Sequence, residues 1–201
     1  MKITIYIEGG GDSKELHTRC REGFRKLLEK CGYTGRMPRL VVCGSRETAF
    51  KDFKSAYRSS TDNICTLMLI DSEDPMEDIE STWEHLRNRD RWEKPEGASD
   101  EQVLFMTTCM ETWIVTDRQT ISAHYGKKLQ SSALPSLLNV ENCHRHEIQK
   151  LLVRATRNCT NSYSKGRRSF EILGKLNPGV LKKHLPSFER NIEILNKKIL
   201  G

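Results

Sequence analysis

The sequence has no long apolar run. Its 201 residues are 36% hydrophobic and 30% charged, and no segment approaches the roughly 20 apolar residues that a membrane-spanning helix needs. The apolar stretch after Lys2 is interrupted by Glu8 and is too short for a secretory signal peptide. We therefore expect a cytoplasmic protein that does not contact a membrane. The length suggests one domain, or one domain with an extension.

The sequence also lacks the cysteine pattern of a disulfide-rich or zinc-binding protein. Its seven cysteines include no Cys-x-x-Cys pair. An odd number without a signal peptide is typical of reduced thiols that pack as small apolar side chains. Cys143, His144 and His146 form one cluster without a second half. Because a structural zinc site needs four ligands, this cluster is weak evidence for a metal.

Complete nucleotide-binding glycine motifs are missing as well. Gly9-x-Gly11 follows the first apolar run, but Lys14 stands where a dinucleotide fingerprint has its third glycine. No Gly-Lys-Ser/Thr follows, which excludes a P-loop. A glycine turn still lets the backbone approach a phosphate closely. Gly10 and Gly11 therefore stay candidates for phosphate contact.

Net positive charge is confined to the C-terminal quarter. Residues 145–201 hold 13 Lys/Arg against 4 Asp/Glu, whereas residues 1–144 hold 20 against 23. A basic region beside an acidic remainder suits a phosphate-rich partner, such as nucleic acid, that meets a carboxylate site. A solvated helical surface would produce the same asymmetry.

Four apolar runs predict β-strands, at residues 2–7, 39–43, 64–70 and 103–107. Helical spacing of apolar residues separates the first three runs, which indicates right-handed crossovers and a parallel sheet. Residues 110–115 fit either a further strand or a short helix.

The rest of the chain reads as helical after an irregular stretch, residues 126–146. From Glu147 onward the apolar spacing is helical, with Pro178 and Pro186 near helix starts. We predict an α/β domain over residues 1–125, with a central parallel sheet flanked by helices. A basic, mostly helical extension, residues 126–201, would pack on the same domain.

Carboxylates follow two of the predicted strands. Glu8 ends the first strand, and Asp71, Glu73 and Asp74 follow the third. Ligands gather beyond the carboxyl ends of strands in open α/β sheets. Converging carboxylates repel each other unless a cation lies among them, and oxygen ligands of this kind suit Mg²⁺ or Mn²⁺. The alternative is a local one, in which Asp74 with Pro75 caps the third helix. Asp12 would either extend this cluster or cap the first helix with Ser13.

The order of these motifs resembles the TOPRIM domain, in which one strand ends in Glu-Gly and a later strand ends in Asp-x-Asp. The motifs here are Glu8-Gly9 and Asp71-Ser72-Glu73, with glutamate in place of the usual second aspartate, so that Asp74 either shares or replaces its role. CMETWIVTD (109–117) and YSKGRRSFEILGKLNP (163–178) are similar to segments of an uncharacterised TOPRIM-like bacterial family, domain of unknown function DUF4276. The resemblance spans nearly the whole chain.

The resemblance implies a TOPRIM-like, Rossmannoid sheet and a divalent-metal-dependent phosphodiester nuclease, similar to those of the overcoming-lysogenization-defect family. Glu8, Asp71 and Glu73 would hold Mg²⁺ or Mn²⁺. Family members are often encoded beside an ATPase related to SMC and ABC proteins, and some pairs look like anti-phage abortive-infection systems. The implied partners are thus nucleic acid and such an ATPase, and an oligomer is compatible with the sequence.

The two later segments supply the remaining candidates. Glu111 would be a further ligand or would position water, and Lys165 would neutralise charge on the phosphate. Arg167 and Arg168 would contact nucleic acid. Glu111 is equally a polar position on a half-buried element, and the three basic residues are equally a solvated loop. Tyr163 would either stack on a base or anchor its loop.

Two other functions compete with the nuclease. One is a non-catalytic TOPRIM-derived subunit that binds nucleic acid or an ATPase, which the glutamate at position 73 favours. The other is an α/β protein of the response-regulator or phosphatase kind. That class needs a lysine on a later strand, and the predicted strands offer none, so we rank it last.

Overall fold

A computed structural model describes residues 2–60 and 63–200, so Met1, Thr61, Asp62 and Gly201 of the predicted domains lie outside the described residues. The chain is an α/β fold with a central four-stranded sheet in the order β2-β1-β3-β4. Every recorded strand pair is parallel, as the predicted crossovers require. The strands are β1 Lys2–Gly10, β2 Arg39–Gly44, β3 Ile64–Asp71 and β4 Val103–Met106.

Helices cover both faces of this sheet. They are α1 Lys14–Leu28, α2 Arg46–Arg58, α3 Thr82–Asp90, α4 Met110–Thr116, α5 Arg118–Tyr125, α6 Arg145–Thr156, α7 Arg167–Leu173, α8 Pro178–His184 and α9 Pro186–Ile199. The apolar stripe of α1, with Phe24 and Leu27, packs against Ile5 and Ile7 of β1 in one core. A second core on the other face joins Phe53 of α2 to the sheet. β3 is covered on both faces and is therefore buried and apolar over most of its length, whereas in β1 buried isoleucines alternate with the half-buried Thr4 and Tyr6.

The C-terminal helices are fixed to the sheet through its outer strand β4. Arg190 of α9 is buried and donates to the Val103 carbonyl oxygen at 3.1 Å. The neighbouring Asn191 donates from Nδ2 to the Phe105 carbonyl oxygen at 2.8 Å. The mostly helical C-terminus is confirmed, whereas the domain division after residue 125 stays a prediction.

Three details differ from, or decide between, the sequence expectations. Residues 110–115 lie in a helix, α4, rather than a strand. Helix α3 begins at Thr82, so Asp74 and Pro75 do not cap it. Helix α5 was not expected, and it begins where the Asp117 side chain accepts from the Thr120 N–H.

The structure bears on two features that the sequence lacks, a disulfide pattern of cysteines and a long apolar run. All seven cysteines are free, and four of them are buried, as expected for small apolar side chains. No helix in the described ranges combines the length and the apolarity that crossing a bilayer requires.

Candidate metal centre

Three carboxylates meet at the carboxyl ends of β1 and β3. Glu8 lies inside β1, which continues to Gly10 rather than ending at Glu8, Asp71 is the last residue of β3, and Glu73 follows β3. Glu8, Asp71 and Glu73 each offer an oxygen, and these oxygens lie within 4.8 Å of one another. We call them the carboxylate triad. In the ranges that the structure describes, no other set of His, Cys, Asp and Glu side chains comes this close. The triad therefore follows from two neighbouring parallel strands whose ends share one edge of the sheet.

Backbone contacts hold each member of the triad in place. The Asp71 N–H donates to Glu8 Oε2 at 3.1 Å, and Asp71 Oδ1 accepts from the Met110 N–H at 2.9 Å, at the start of α4. The backbone of Glu73 is left-handed, with φ of 72°, and its N–H donates to the Thr108 carbonyl oxygen at 2.8 Å. A left-handed glutamate is uncommon because its Cβ crowds the backbone, and such residues concentrate at functional sites.

Burial makes the central carboxyl of the triad costly to ionise. Asp71 is 6% exposed. Loss of water raises its pKa well above the usual range, and the charges of Glu8 and Glu111 raise it further. The pKa of Glu8 is also raised by burial, although Arg46 and the Asp71 N–H oppose the shift. These carboxylates thus lose water and repel one another when ionised, and a bound cation would offset both effects.

Arg46, at the start of α2, contacts two strand ends at once. Its guanidinium lies 3.6 Å from Glu8 Oε2 and donates to the Asp71 carbonyl oxygen. Asp90 Oδ2 lies 2.7 Å from Nη2 of the same guanidinium. The central carbon of the guanidinium, Arg46 Cζ, lies 5.1 Å from the centre of the Trp92 ring. Arg46 is therefore locked beside the triad and offsets part of the charge of Glu8.

Glu73 is paired with two arginines. Its Oε2 contacts the Arg145 guanidinium and lies 3.3 Å from Nη2 of Arg89. Arg145 is the first residue of α6, and Arg89 lies near the end of α3. Two helices from different parts of the chain thus deliver positive charge to one carboxylate.

Glu111 is fully buried behind the triad. Its Oε1 accepts from the Tyr163 hydroxyl at 2.6 Å, and its Oε2 accepts from Gln149 Nε2 at 3.4 Å. Its charge reaches Asp71, whose pKa it helps to raise. Tyr163 is itself buried, at 6% exposure. It anchors its loop to Glu111 in this structure, which is the second of the two roles considered for it.

Lys165 lies with two members of the triad, Glu8 and Asp71, around one cavity of about 340 Å³. The cavity is lined by Glu8, Asp71, Gly10, Gly11 and Lys165, with apolar walls that include Leu16 and Phe170. Loss of water acts to lower the pKa of Lys165, but the charges of Glu111 and Asp71 outweigh it and raise the pKa. The lysine is thus a cation close enough to the carboxylates of this cavity for their charges to affect each other's pKa.

The glycines of the cavity are required by close packing. Gly10 has φ of 83°, and a Cβ there would lie 2.7 Å from the His17 ring. Gly44, at the end of β2, has φ of 78°, and its Cβ would lie 2.5 Å from the Gly11 carbonyl oxygen. The two loops therefore touch backbone to backbone, and only glycine permits this approach. Gly11 also lines the cavity, and a Cβ there would meet no atom within 4 Å.

Some predicted site residues lie elsewhere. Asp74 is outside the triad, where it is exposed and pairs with Arg89 at 2.9 Å. Arg167 lines a separate groove beside Lys26 and Lys175, and Arg168 donates to the Ser162 carbonyl oxygen. The structure thus brings Lys165 to the triad without its two basic neighbours.

The three arginines of the site, Arg46, Arg89 and Arg145, were not predicted from the sequence. Arg46 follows β2 two residues after its end, so the rule that found the acids would also have found it. Arg145 follows an irregular stretch and has no comparable signal. The sequence offered its neighbours Cys143, His144 and His146 as a weak metal-site candidate instead. These three residues form no ligand cluster in the described ranges.

Comparison with known proteins gives one match. The family model described as Domain of unknown function (DUF4276) matches residues 7–196. None of the curated proteins and none of the solved structures compared with the chain matches it. The matched range includes the triad, Glu111, Lys165 and the three arginines around Glu8 and Glu73.

Proposed function

This chain belongs to the family described as Domain of unknown function (DUF4276), and we propose that it is a divalent-metal-dependent phosphodiester nuclease. The observation that carries the proposal is the triad, three carboxylate oxygens within 4.8 Å of one another at the sheet edge where α/β proteins bind ligands. The motifs Glu8-Gly9 and Asp71-Ser72-Glu73 support a TOPRIM type of site. The substrate in this proposal is DNA or RNA.

The donor set fits Mg²⁺ or Mn²⁺. Both ions prefer oxygen ligands, and the triad offers only carboxylates, with no thiol or imidazole. The electrostatics fit as well, because Asp71 is buried among like charges and, among the described residues, its side chain accepts one hydrogen bond, from the Met110 N–H at 2.9 Å. A bound ion would supply Lewis-acid activation of the phosphoryl group and of water.

The chain's own residues would position the substrate and balance its charge. Lys165 lines the cavity with Glu8 and Asp71, where its ammonium would neutralise a phosphate oxygen as negative charge builds on it. Gly11 leaves its side of the cavity open to a sugar-phosphate backbone. Glu111 would orient the loop of Lys165 through its bond to Tyr163, two residues away.

The test is cleavage of plasmid DNA and of RNA in the presence of Mn²⁺. We expect Glu8→Gln and Asp71→Asn to abolish cleavage, because each removes a charged ligand while keeping the side-chain shape. Glu141→Gln is the matched control, since Glu141 is also a buried glutamate but lies outside the triad. Cleavage that survives both triad substitutions would overturn the metal site.

A second candidate function is a non-catalytic subunit that binds nucleic acid or an ATPase. Two observations favour it: Glu73 stands where the usual motif has aspartate, and two arginines already pair with it. Calorimetric titration with Mn²⁺ separates the two functions. The nuclease requires binding at millimolar metal or below, whereas absence of binding would favour the non-catalytic subunit.

The biological setting is proposed from the family resemblance. A SMC- or ABC-like ATPase partner and a role in anti-phage abortive infection would place the cleavage under the control of ATP hydrolysis. Co-expression with an ATPase encoded next to this chain tests the partner, and we expect the two proteins to purify as one complex.

A further inference from the structure

The two arginines on Glu73 are held very differently. Arg89 also pairs with Asp74 at 2.9 Å and with Asp90, so it keeps two carboxylates if Glu73 moves away. Arg145 has Glu73 as its one ion-pair partner in the part of the chain that the structure describes. Of the two, only Arg145 depends on Glu73.

The position of Arg145 in α6 makes this dependence stronger. Arg145 is the first residue of the helix, where the helix dipole carries partial positive charge and disfavours a cation. Its side chain is 31% exposed, so the fold does not enclose it. An arginine here stays in place because a negative group holds it.

A divalent cation in the triad would compete for that negative group. The cation carries two charges and needs the Glu73 carboxylate, while Arg145 needs the same carboxylate and is repelled by the cation. Glu8 faces a similar competitor in Arg46, but Arg46 is fixed by Asp90 and by the Asp71 carbonyl oxygen. Arg145 is therefore the group that gives way.

We propose that Arg145 is a displaceable counter-ion of the metal site, which metal binding releases from Glu73 to bind a phosphate of the substrate. The inference rests on the proposed function, since it takes the triad as the metal site. Before metal binds, Arg145 neutralises Glu73 and keeps the triad assembled. Once metal binds, the same guanidinium is left beside the site without a carboxylate, and its planar fork suits a phosphate. Arg145 thus acts as a substrate-binding residue that becomes available on metal binding, which couples the order of metal and substrate binding.

The first experiment measures the Mn²⁺ dissociation constant by calorimetry for wild type, Arg145→Gln and Lys150→Gln. Lys150 is the matched control, because it is exposed on the same helix and its substitution removes the same charge. We expect Arg145→Gln to bind Mn²⁺ about five- to tenfold more tightly than wild type, as it removes a partly exposed ion pair that competes with the metal. Lys150→Gln should change the constant less than about twofold.

The second experiment measures oligonucleotide binding by fluorescence anisotropy, with and without Mn²⁺. A short phosphorothioate oligonucleotide limits cleavage during the measurement. Metal should strengthen binding by wild type, and this gain should shrink several-fold in Arg145→Gln. Lys150→Gln should keep the ratio of the two affinities, even where it weakens both. Thermal unfolding shows whether Arg145→Gln is folded, and Arg145→Lys, which keeps the charge, should restore wild-type metal affinity.

The outcomes separate this inference from the proposed function. Weaker or unchanged metal binding in Arg145→Gln, with wild type binding normally, would overturn the counter-ion and leave the metal site standing. A folded Arg145→Gln that binds metal more tightly but keeps the full metal-dependent gain in oligonucleotide affinity would overturn the release to phosphate. Absence of metal binding in both proteins would overturn both proposals. Metal binding in Arg145→Gln alone would support the counter-ion strongly.

Discussion

Asp71 and Glu141 both have buried carboxyl groups, but the groups that surround these two carboxyls differ in charge. Glu141 stands alone, at 8% exposure. It accepts from the Ser187 N–H at 3.3 Å and from the Ser187 hydroxyl. Burial raises its pKa to about 6, although both Ser187 bonds act to lower it. Asp71 is equally buried, yet two triad glutamates and Glu111 surround it.

The difference shows what a buried carboxyl needs. A single buried carboxyl, that of Glu141, is stabilised by two hydrogen-bond donors at the start of α9 and by the dipole of that helix. Four close together need cations, and the arginines reach only the outer members, Glu8 and Glu73. Asp71, in the centre, has no ion pair among the described residues. The sheet edge therefore concentrates charge that a structural carboxyl would avoid, which is typical of functional sites.

The largest expected effect comes from neutralising the centre of the triad. At a Mn²⁺ concentration about a hundredfold above its dissociation constant, wild type should gain ~2.7 kcal/mol of stability. Asp71→Asn should lose this gain together with all metal-dependent cleavage, because it removes the central ligand. Chemical denaturation with and without Mn²⁺ measures the gain, and Glu141→Gln should keep it. Equal gains in Asp71→Asn and Glu141→Gln would erase the contrast between the two carboxyls.

The next effect concerns Lys165, the lysine that lines the cavity with Glu8 and Asp71. Lys165→Ala should lower cleavage about 10²-fold, or ~2.7 kcal/mol, because it removes a donor to the developing charge on the phosphate. The Mn²⁺ dissociation constant should change much less than the cleavage rate. Arg167→Ala is the control, as Arg167 lines another groove. A loss in metal binding as large as the loss in cleavage would assign Lys165 to holding the triad together.

A smaller effect is expected in the pH dependence of stability that the Glu141 carboxyl causes. The pKa of Glu141 rises from 4.5 to about 6 on folding, so the folded protein binds more protons and its stability falls as pH rises through this window. Relative to Glu141→Gln, wild type should lose about 2 kcal/mol between pH 4 and pH 7. Urea unfolding of the metal-free proteins measures this difference, in which the titration of Asp71 and Glu8 cancels. A flat difference would mean that Glu141 is not buried as described.

The smallest effect is expected at Asp74. Its carboxylate is exposed and pairs only with Arg89 among the described residues, so Asp74→Asn should cost no more than about 1 kcal/mol. Metal affinity should stay within about twofold of wild type. Calorimetry with Mn²⁺ checks this prediction, and a large loss of affinity would extend the triad to a fourth ligand.

Sequence reasoning was strongest where charge interrupted an apolar strand. Asp71 is the last residue of a largely apolar, buried strand, and Glu8 follows the alternating buried isoleucines of β1, so their positions predicted the meeting point. Glu73 followed from the same strand end, but the choice between Glu73 and Asp74 depended on a left-handed turn that no local pattern encodes. The contact of Arg145 with Glu73 could not be predicted from the sequence, because it depends on how α6 packs and not on residues that are near either of them in the chain.

The same limit applies to the helical part of the fold. Residues 110–115 are buried on every side in α4, so they show no period that could separate a helix from a strand. Helices α8 and α9 were easier, since a proline opens each of them. The spacing of apolar residues therefore predicts helices and strands that have one solvent-exposed face, and it fails for those that are buried on every side.

The bonds from α9 to β4 also determine how copies of this chain can meet. β4 is an outer strand, and Met106 gives its carbonyl oxygen to Ser72 on the β3 side. Because carbonyl directions alternate along a strand, those of Val103 and Phe105 point outward, and Arg190 and Asn191 already occupy them. A strand from another molecule would have to break both bonds to add to this edge. The protein thus closes one route to β-sheet aggregation with the side chains of its last helix.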